Sequence, residues 1–257
     1  MIELASVSKT YRSRHGDLVR AVEDVALEIK EKEFVSLVGP SGCGKSTLLR
    51  LVSGLTPPTR GAVRIRGHEV RGPFPDVGFV FQSAVLLPWR TVLDNILFSI
   101  EMLGLRRDEH RARAQGLVEL AGLAGFERKY PWELSGGMQQ RVAICRALVH
   151  DPSLLLMDEP FGALDAMTRE EMGLELLRIW EERRKTILFV THSIPEAILL
   201  ADRVVVMTAR PGRLARVLDI TLPRPRTVDV EFTPRFKELS DEIRGLIFAR
   251  SHDARRR

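Results

Sequence analysis

Nine consecutive residues, Gly39-Pro40-Ser41-Gly42-Cys43-Gly44-Lys45-Ser46-Thr47, carry the most specific chemistry in this chain. The first eight match G-x-x-x-x-G-K-[ST] in full, the spacing of a phosphate-binding loop. Glycines at these positions let backbone N–H groups turn inward and wrap the β- and γ-phosphates of a nucleotide. A helix N-terminus behind the loop adds positive potential. Lys45 supplies a point charge on the phosphoryl group, and the Ser46 hydroxyl can ligate Mg²⁺. Such a loop needs an acidic partner for the metal. The apolar run 154–157 ends in Asp158-Glu159. Asp158 would hold Mg²⁺, directly or through water. Glu159 projects differently and could polarise an attacking water as a general base. A third run, 187–190, ends at Thr191-His192 and brings an imidazole suited to contacting the γ-phosphate.

Delivering these groups to one place requires strands that end together. Phe34–Val38, apolar but for Ser36, and the wholly apolar 154–157 and 187–190 are three such runs, and 204–207 is a possible fourth. Short continuous apolar runs bounded by charges or glycine describe parallel strands covered on both faces. Helical periods separate them, so the fold class is α/β with a parallel sheet. Phe34–Val38 leads straight into the phosphate loop. Leu48, Leu49, Leu51 and Val52 open a helix after it, and Gly54 can end that helix. In Ala62-Val63-Arg64-Ile65-Arg66 the apolar pair shares one face and the arginines the other, an amphipathic strand after the breaker-rich turn 56–61. Residues 88–150 lack any β-like run and read as a mainly helical insertion. Beyond Pro223, Phe236, Leu239, Ile243, Leu246 and Ile247 form one apolar helix face, for core docking or for a partner.

Composition sets the outer bounds. The 257 residues are 44% hydrophobic and 28% charged, an ordinary globular mixture that excludes wholesale disorder. No uncharged apolar run reaches the ~18 residues of a membrane span, and the N-terminus carries no secretory h-region. Two cysteines cannot build a disulfide framework, which fits a reducing cytosol. The net charge of +5 leaves nucleic acid or anionic lipid open as partners. Four arginines and one aspartate in residues 250–257 account for +3 of it, which undercuts the nucleic-acid option.

Phosphate loops serve many enzymes, and Leu134-Ser135-Gly136-Gly137-Met138-Gln139-Gln140 narrows the choice. Ser135, Gly136 and Gly137 would open a helix and form a second anion site. The stretch resembles the LSGGQ signature of ATP-binding cassette (ABC) ATPases and lies between the phosphate loop and the acidic strand, as in that family. The resemblance runs over about residues 2–230. It implies a P-loop NTPase (RecA-like) core with a parallel sheet, an antiparallel β subdomain and a helical signature subdomain. In domain terms it implies an ATP-binding domain over 2–231, with a catalytic core of about 1–87 and 151–220 and a helical subdomain of about 88–150. A C-terminal helix and basic tail would occupy 232–257.

Several residue roles follow from the same resemblance. Tyr11 looks like the aromatic that stacks on adenine. Gln82, after the run 77–81, looks like the glutamine that contacts Mg²⁺ or the attacking water and senses the membrane partner. Asp165, in Gly162-Ala163-Leu164-Asp165, resembles the loop that crosses the dimer interface. The expected machine is a head-to-tail homodimer, in its nucleotide-closed state, with ATP and Mg²⁺ at the shared interface and the signature of one copy closing over the phosphate loop of the other. Met138 departs from the usual glutamine and Gly162 from the usual serine; neither removes a metal ligand, a base or a phosphate contact.

A closer match lies in Leu86-Leu87-Pro88-Trp89-Arg90-Thr91-Val92-Leu93-Asp94-Asn95-Ile96, in residues 159–165 and in Met207-Thr208-Ala209-Arg210-Pro211-Gly212-Arg213. These resemble the ATP-binding subunits of nitrate, sulfonate and taurine importers. The implied partners are transmembrane permease subunits and, indirectly, a substrate-binding protein, with no nucleic acid. The implied place is the cytoplasmic face of the inner membrane, peripherally bound. Leu86, Leu87 and Trp89 form either a permease-docking surface or part of the core. Soluble ABC ATPases of DNA repair carry a long coiled coil, whereas fewer than ninety residues separate Thr47 from Leu134 here, without sustained heptads. Ribosome-acting members fuse two cassettes, and this sequence has one phosphate loop. A P-loop kinase or transferase offers no role for Ser135-Gly136-Gly137. Cys43, beside Lys45 and backbone N–H groups, is expected to favour its thiolate; Cys145, on an apolar helix, is expected to be inert.

Overall fold

Burial follows the period of each sequence segment, and the ten strands and seven α-helices among the described residues fall where those periods change. The structure, a computed structural model, describes residues 1–13 and 16–253; the last four residues of the basic tail lie outside them. Two compact units divide the chain, residues 1–74 with 184–257 and residues 75–183.

The first unit opens with β1 (Ile2–Arg12) and β2 (Leu18–Ile29), then β3 (Phe34–Val38) and α1 (Lys45–Val52), then β4 (Arg60–Ile65) and β5 (His68–Glu69). β2, β1, β4 and β5 form an antiparallel sheet in that order. Alternation sets its register: Ile2 pairs with Ile65 and Leu4 with Val63, all four buried, while Arg64 reaches Glu3 across the solvent face at 3.2 Å. The other sheet of this unit has β3 between two parallel neighbours, β8 (Thr186–Val190) and β9 (Arg203–Met207). β10 (Leu214–Asp219) runs antiparallel to β9. Every residue of β3 and β8 is buried, and Phe34 meets Phe189 edge to face at 5.9 Å. Burial of every residue explains why these strands are apolar without alternation.

The register of this sheet aligns three loops. Leu37 pairs with Val190 and Val38 with Val206, so the phosphate loop, Thr191-His192 and the turn after Met207 all leave at one edge. α6 (Ile194–Leu200) follows His192 directly and packs on β3. α7 (Pro234–Asp253) packs on α6 and β9. Phe236, Leu239 and Ile243 are buried there, so the C-terminal apolar face docks on the core.

The second unit contains β6 (Val77–Val80), α2 (Val92–Met102), α3 (Arg107–Leu120), α4 (Gly136–Leu148), β7 (Leu154–Asp158) and α5 (Ala166–Arg183). β6 and β7 are parallel, with Val80 opposite Met157, so the segments carrying Gln82 and Glu159 leave at one edge. α2, α3 and α4 share a core of Ile96, Leu97, Ile100, Val118, Val142 and Cys145.

One buried cation in the first unit was not singled out by the sequence. Arg226 is 4% exposed and donates to the carbonyls of Ile198, Leu199 and Ala201 at 3.0, 3.2 and 2.7 Å, closing the C-terminal end of α6. It also donates to Ile220 and Leu222. Replacing it by methionine keeps bulk and removes every donor. Arg226→Met is expected to lower unfolding stability by about 3 kcal/mol in urea denaturation.

Candidate functional site

In the first unit the phosphate loop bridges β3 and α1. Residues 40–43 form a turn closed by the Cys43 N–H donating to the Pro40 carbonyl at 3.2 Å. Gly44 is the N-cap of α1, with φ +98°. A side chain cannot sit there: a Cβ would fall 2.7 Å from the Ala21 carbonyl and 2.8 Å from Val22 Cγ2. No side chain caps α1 and no acidic residue lies in its first turn, so the positive end of the helix is left for an anion. Lys45 is buried and its ammonium donates to the carbonyls of Gly39 and Pro40 at 2.8 and 3.1 Å. Cys43 is buried, Ser41 and Gly42 are exposed, and Ser46 and Thr47 are half-buried on the helix behind them.

His192 is exposed on the turn between β8 and α6. That turn is built by its neighbours: Thr191 Oγ1 donates to Glu196 at 2.6 Å and accepts the Ser193 N–H at 2.9 Å. Ser193 caps α6 by accepting the Glu196 N–H. Tyr11 lies near the end of β1, paired with Val19 of β2, and the Lys9 ammonium stands 5.3 Å from its ring centroid.

The second unit brings Gln82 and Glu159 together. Gln82 Nε2 donates to Glu159 Oε2 at 3.2 Å across 77 residues of sequence. Glu159 has φ +47°, a conformation that costs a non-glycine residue about 1–2 kcal/mol. Asp158, one residue earlier, is buried. The two carboxylates are thus separated by environment, one enclosed and one half-buried. Gln140 is buried and donates to the Phe81 carbonyl at 3.0 Å, and Arg146 donates to Ala84 and Val85 at 2.8 Å each. Both lie on α4, so the helix that begins with the signature also holds the segment around Gln82.

Ser135 caps α4 by accepting the Met138 N–H at 3.3 Å, which leaves its hydroxyl proton to donate elsewhere. Ser135 and Gly136 are exposed, and a Cβ on Gly136 would meet nothing within 4 Å. Met138 packs against the helical core of this unit, which gives its apolar side chain a place that glutamine would not use. Asp165 is exposed and caps α5 by accepting the Thr168 N–H at 3.0 Å; that bond holds its carboxyl below the usual carboxylate range. The apolar segment after Gln82 divides. Leu86 packs on the helical core and Leu87 is half-buried, whereas Val85 and Trp89 are 59% and 70% exposed. Asn95, fully buried, shapes this segment by donating to the carbonyls of Leu87, Arg90 and Thr91 and accepting the Leu87 N–H. Asn95, Gln140 and Arg146 were not read from the sequence as site residues, because their partners lie in loops whose course the sequence does not specify.

The family model for the ABC transporter matches residues 22–162. An uncharacterised ABC transporter ATP-binding protein of Methanocaldococcus jannaschii is 51% identical over 234 residues, 89% of this chain and 88% of that one. The chain belongs to the ABC transporter family. Two named relatives are the taurine import ATP-binding protein TauB of Jannaschia sp., 44% identical over 96% of this chain and 94% of its own, and the nitrate import ATP-binding protein NrtD of Synechococcus elongatus, 47% identical over 96% and 92%. A dimeric ATP-binding cassette solved in a post-hydrolysis state with ADP and Pi superposes with a TM-score of 0.78 at 36% identity, over 87% of this chain and all of that one. This ABC ATPase therefore has the P-loop NTPase fold of its family, binds ATP and hydrolyses it.

The cysteines of the ABC ATPase behave alike, against the expectation for Cys43. Burial pushes the Cys43 thiol up, and the nearby Lys45 charge and hydrogen bonds do not offset it. The loop geometry that brings Lys45 close also shuts out water. Burial raises the Cys145 thiol to about 12. At neutral pH both thiols of the native protein are expected to react with a maleimide at least about tenfold more slowly than free cysteine, with or without ATP, and both to react fully after denaturation.

Proposed function

We propose that this chain is the energy-coupling ATPase of an importer for a small solute such as nitrate, a sulfonate or taurine. The observation that carries the catalytic half is Glu159, set on a left-handed bend within hydrogen-bond reach of Gln82. Lys45 and the amides around Gly44 would hold the phosphates. Glu159 would take a proton from the attacking water, Gln82 would orient that water, and His192 would steady the γ-phosphate. Ser46 offers a hydroxyl, Asp158 a buried carboxylate, and Gln82 an amide oxygen left over when its nitrogen donates to Glu159. That all-oxygen set suits Mg²⁺, which takes one or two carboxylates and keeps its remaining positions for phosphate and water. When bound it would neutralise charge on the phosphates.

Exposure of Ser135 and Gly136 at the start of α4 supports a second use of the signature. One molecule needs one γ-phosphate site, so the signature would serve another copy, head to tail. The related cassette solved with ADP and Pi is a dimer, in keeping with this arrangement. Hydrolysis would reopen the pair. Among the described residues no helix is long and apolar enough to cross a membrane, and the two exposed apolar side chains at Val85 and Trp89 offer a docking face for permease subunits in another chain. The close similarity to the taurine and nitrate import proteins supports import as the direction and a substrate-binding protein as the indirect partner. The ATPase would then sit peripherally on the cytoplasmic face of the membrane.

Two variants test the two halves. Glu159→Gln is expected to bind ATP within about twofold of the parent and to lose hydrolysis by about 10²–10⁴-fold, accumulating an ATP-bound dimer in gel filtration; undiminished turnover would refute the base assignment. Trp89→Ala is expected to keep hydrolysis by the isolated subunit and to weaken co-purification with its permease, and an unchanged yield of complex would remove the docking face.

A further inference from the structure

The segment Met207–Arg213 is singled out by sequence and has no part in the chemistry above. Val38 pairs with Val206, so the turn after Met207 leaves β9 beside the phosphate loop, within the same unit. The turn is hydrogen-bonded within itself. The Thr208 N–H donates to the Arg213 carbonyl at 2.9 Å, and Thr208 Oγ1 accepts the Arg213 N–H at 3.0 Å and donates to the Pro211 carbonyl at 3.2 Å. It is also fastened to β2. The Gly212 N–H donates to Ala21 at 3.0 Å, Gly212 accepts from the Glu23 N–H at 2.9 Å, and Arg213 grips the Glu23 carboxylate at 2.7 and 3.2 Å. The hydrogen bond from Arg213 holds Glu23 below the usual carboxylate range. Gly212 touches the phosphate loop so closely that a Cβ would fall 1.9 Å from the Cys43 carbonyl.

From this braced turn Arg210 reaches back. Its Nε donates to the Gly42 carbonyl at 2.9 Å. The peptide unit joining Gly42 to Cys43 is planar, so its C=O and N–H are oriented together. Its N–H donates to Pro40 and its C=O accepts from Arg210, which pins that peptide from both sides. Gly42 has φ +71°, as the third residue of a type II turn requires. With this peptide fixed outward, the next amides, at Gly44, Lys45 and Ser46, are the ones left to converge on phosphate. Arg210 also sets a permanent positive charge against the loop, on an exposed side chain whose other guanidinium nitrogens make no hydrogen bond or ion pair among the described residues.

We propose that Arg210 is a positioning residue of the nucleotide site: it braces the phosphate loop from outside and raises affinity for the nucleoside triphosphate. The braced turn ties the loop to β2, so the phosphate-binding amides are set before nucleotide arrives. The proposal rests on the assignment of the phosphate loop and Lys45 to nucleotide binding.

The test compares Arg210→Ala, Arg210→Lys and Lys45→Ala in the full chain, by ATP titration calorimetry, steady-state hydrolysis and thermal melting. Arg210→Ala is expected to raise the Kd and KM for ATP about tenfold with kcat lowered less than about threefold. Arg210→Lys, whose ammonium can still donate to the Gly42 carbonyl, is expected to return most of the lost affinity. ATP binding by Arg210→Ala within twofold of the parent, alongside lost binding in Lys45→Ala, would overturn the role of Arg210 alone. A loss of affinity in Arg210→Ala that follows a lowered melting temperature and is not rescued by lysine would also overturn it, since that marks general destabilisation. Parent-like binding by Lys45→Ala would overturn the phosphate-loop assignment itself.

Discussion

Parallel backbone pairing is the constraint on which the rest of this protein depends. β3 is hydrogen-bonded on one side to β8 and on the other to β9, and the pairs Leu37–Val190 and Val38–Val206 make all three strands end level. The phosphate loop, His192 and the Arg210 turn emerge together for that reason alone. The same device recurs in the second unit, where Val80 opposite Met157 lets Gln82 and Glu159 share one edge. A slip of one residue in any pair would reverse which face every side chain meets, and the burial of every residue of β3, β7 and β8 makes such a slip costly. In open α/β sheets this edge is where ligands bind.

On that frame the polar groups are arranged by burial and by donors that reach over long sequence distances. Asp158 is enclosed while Glu159, on its left-handed bend, is only half-buried, so adjacent carboxylates are free to take different tasks. Loops that carry exposed functional groups are held by buried or braced side chains beneath them: Asn95 under Trp89, Gln140 beside Gln82, and Arg210 against Gly42. In each case a side-chain donor meets a backbone carbonyl, which fixes the course of the loop without occupying the functional group.

Much of the site was legible because its signals are local. The phosphate loop is defined by spacing within eight residues, the strand runs by their apolarity, and the helix behind the loop by Leu48, Leu49, Leu51 and Val52 with Gly54 at its end; the strands appear where those patterns place them, while the helix starts earlier, at Lys45, inside the loop motif. The C-terminal face of Phe236, Leu239 and Ile243 was equally plain, though its destination was not. The thiol of Cys43 shows where locality misleads. Its sequence neighbours argue for a thiolate, but burial is a property of the assembled loop and pushes the thiol up instead.

Residue order alone supplies the inventory: an α/β ATPase with a phosphate loop, an acidic strand end, an imidazole and a signature, and the family to which they belong. Tertiary structure alone decided which groups act in pairs. Gln82 meets Glu159 across 77 residues, Arg210 meets Gly42 across 168, and Leu86 and Trp89, three apart, go to the core and to solvent. The reason is physical. Periodicity and turn chemistry act over a few residues, whereas hydrogen bonds between distant loops and the exposure of a side chain are settled only when strand register has brought those loops together.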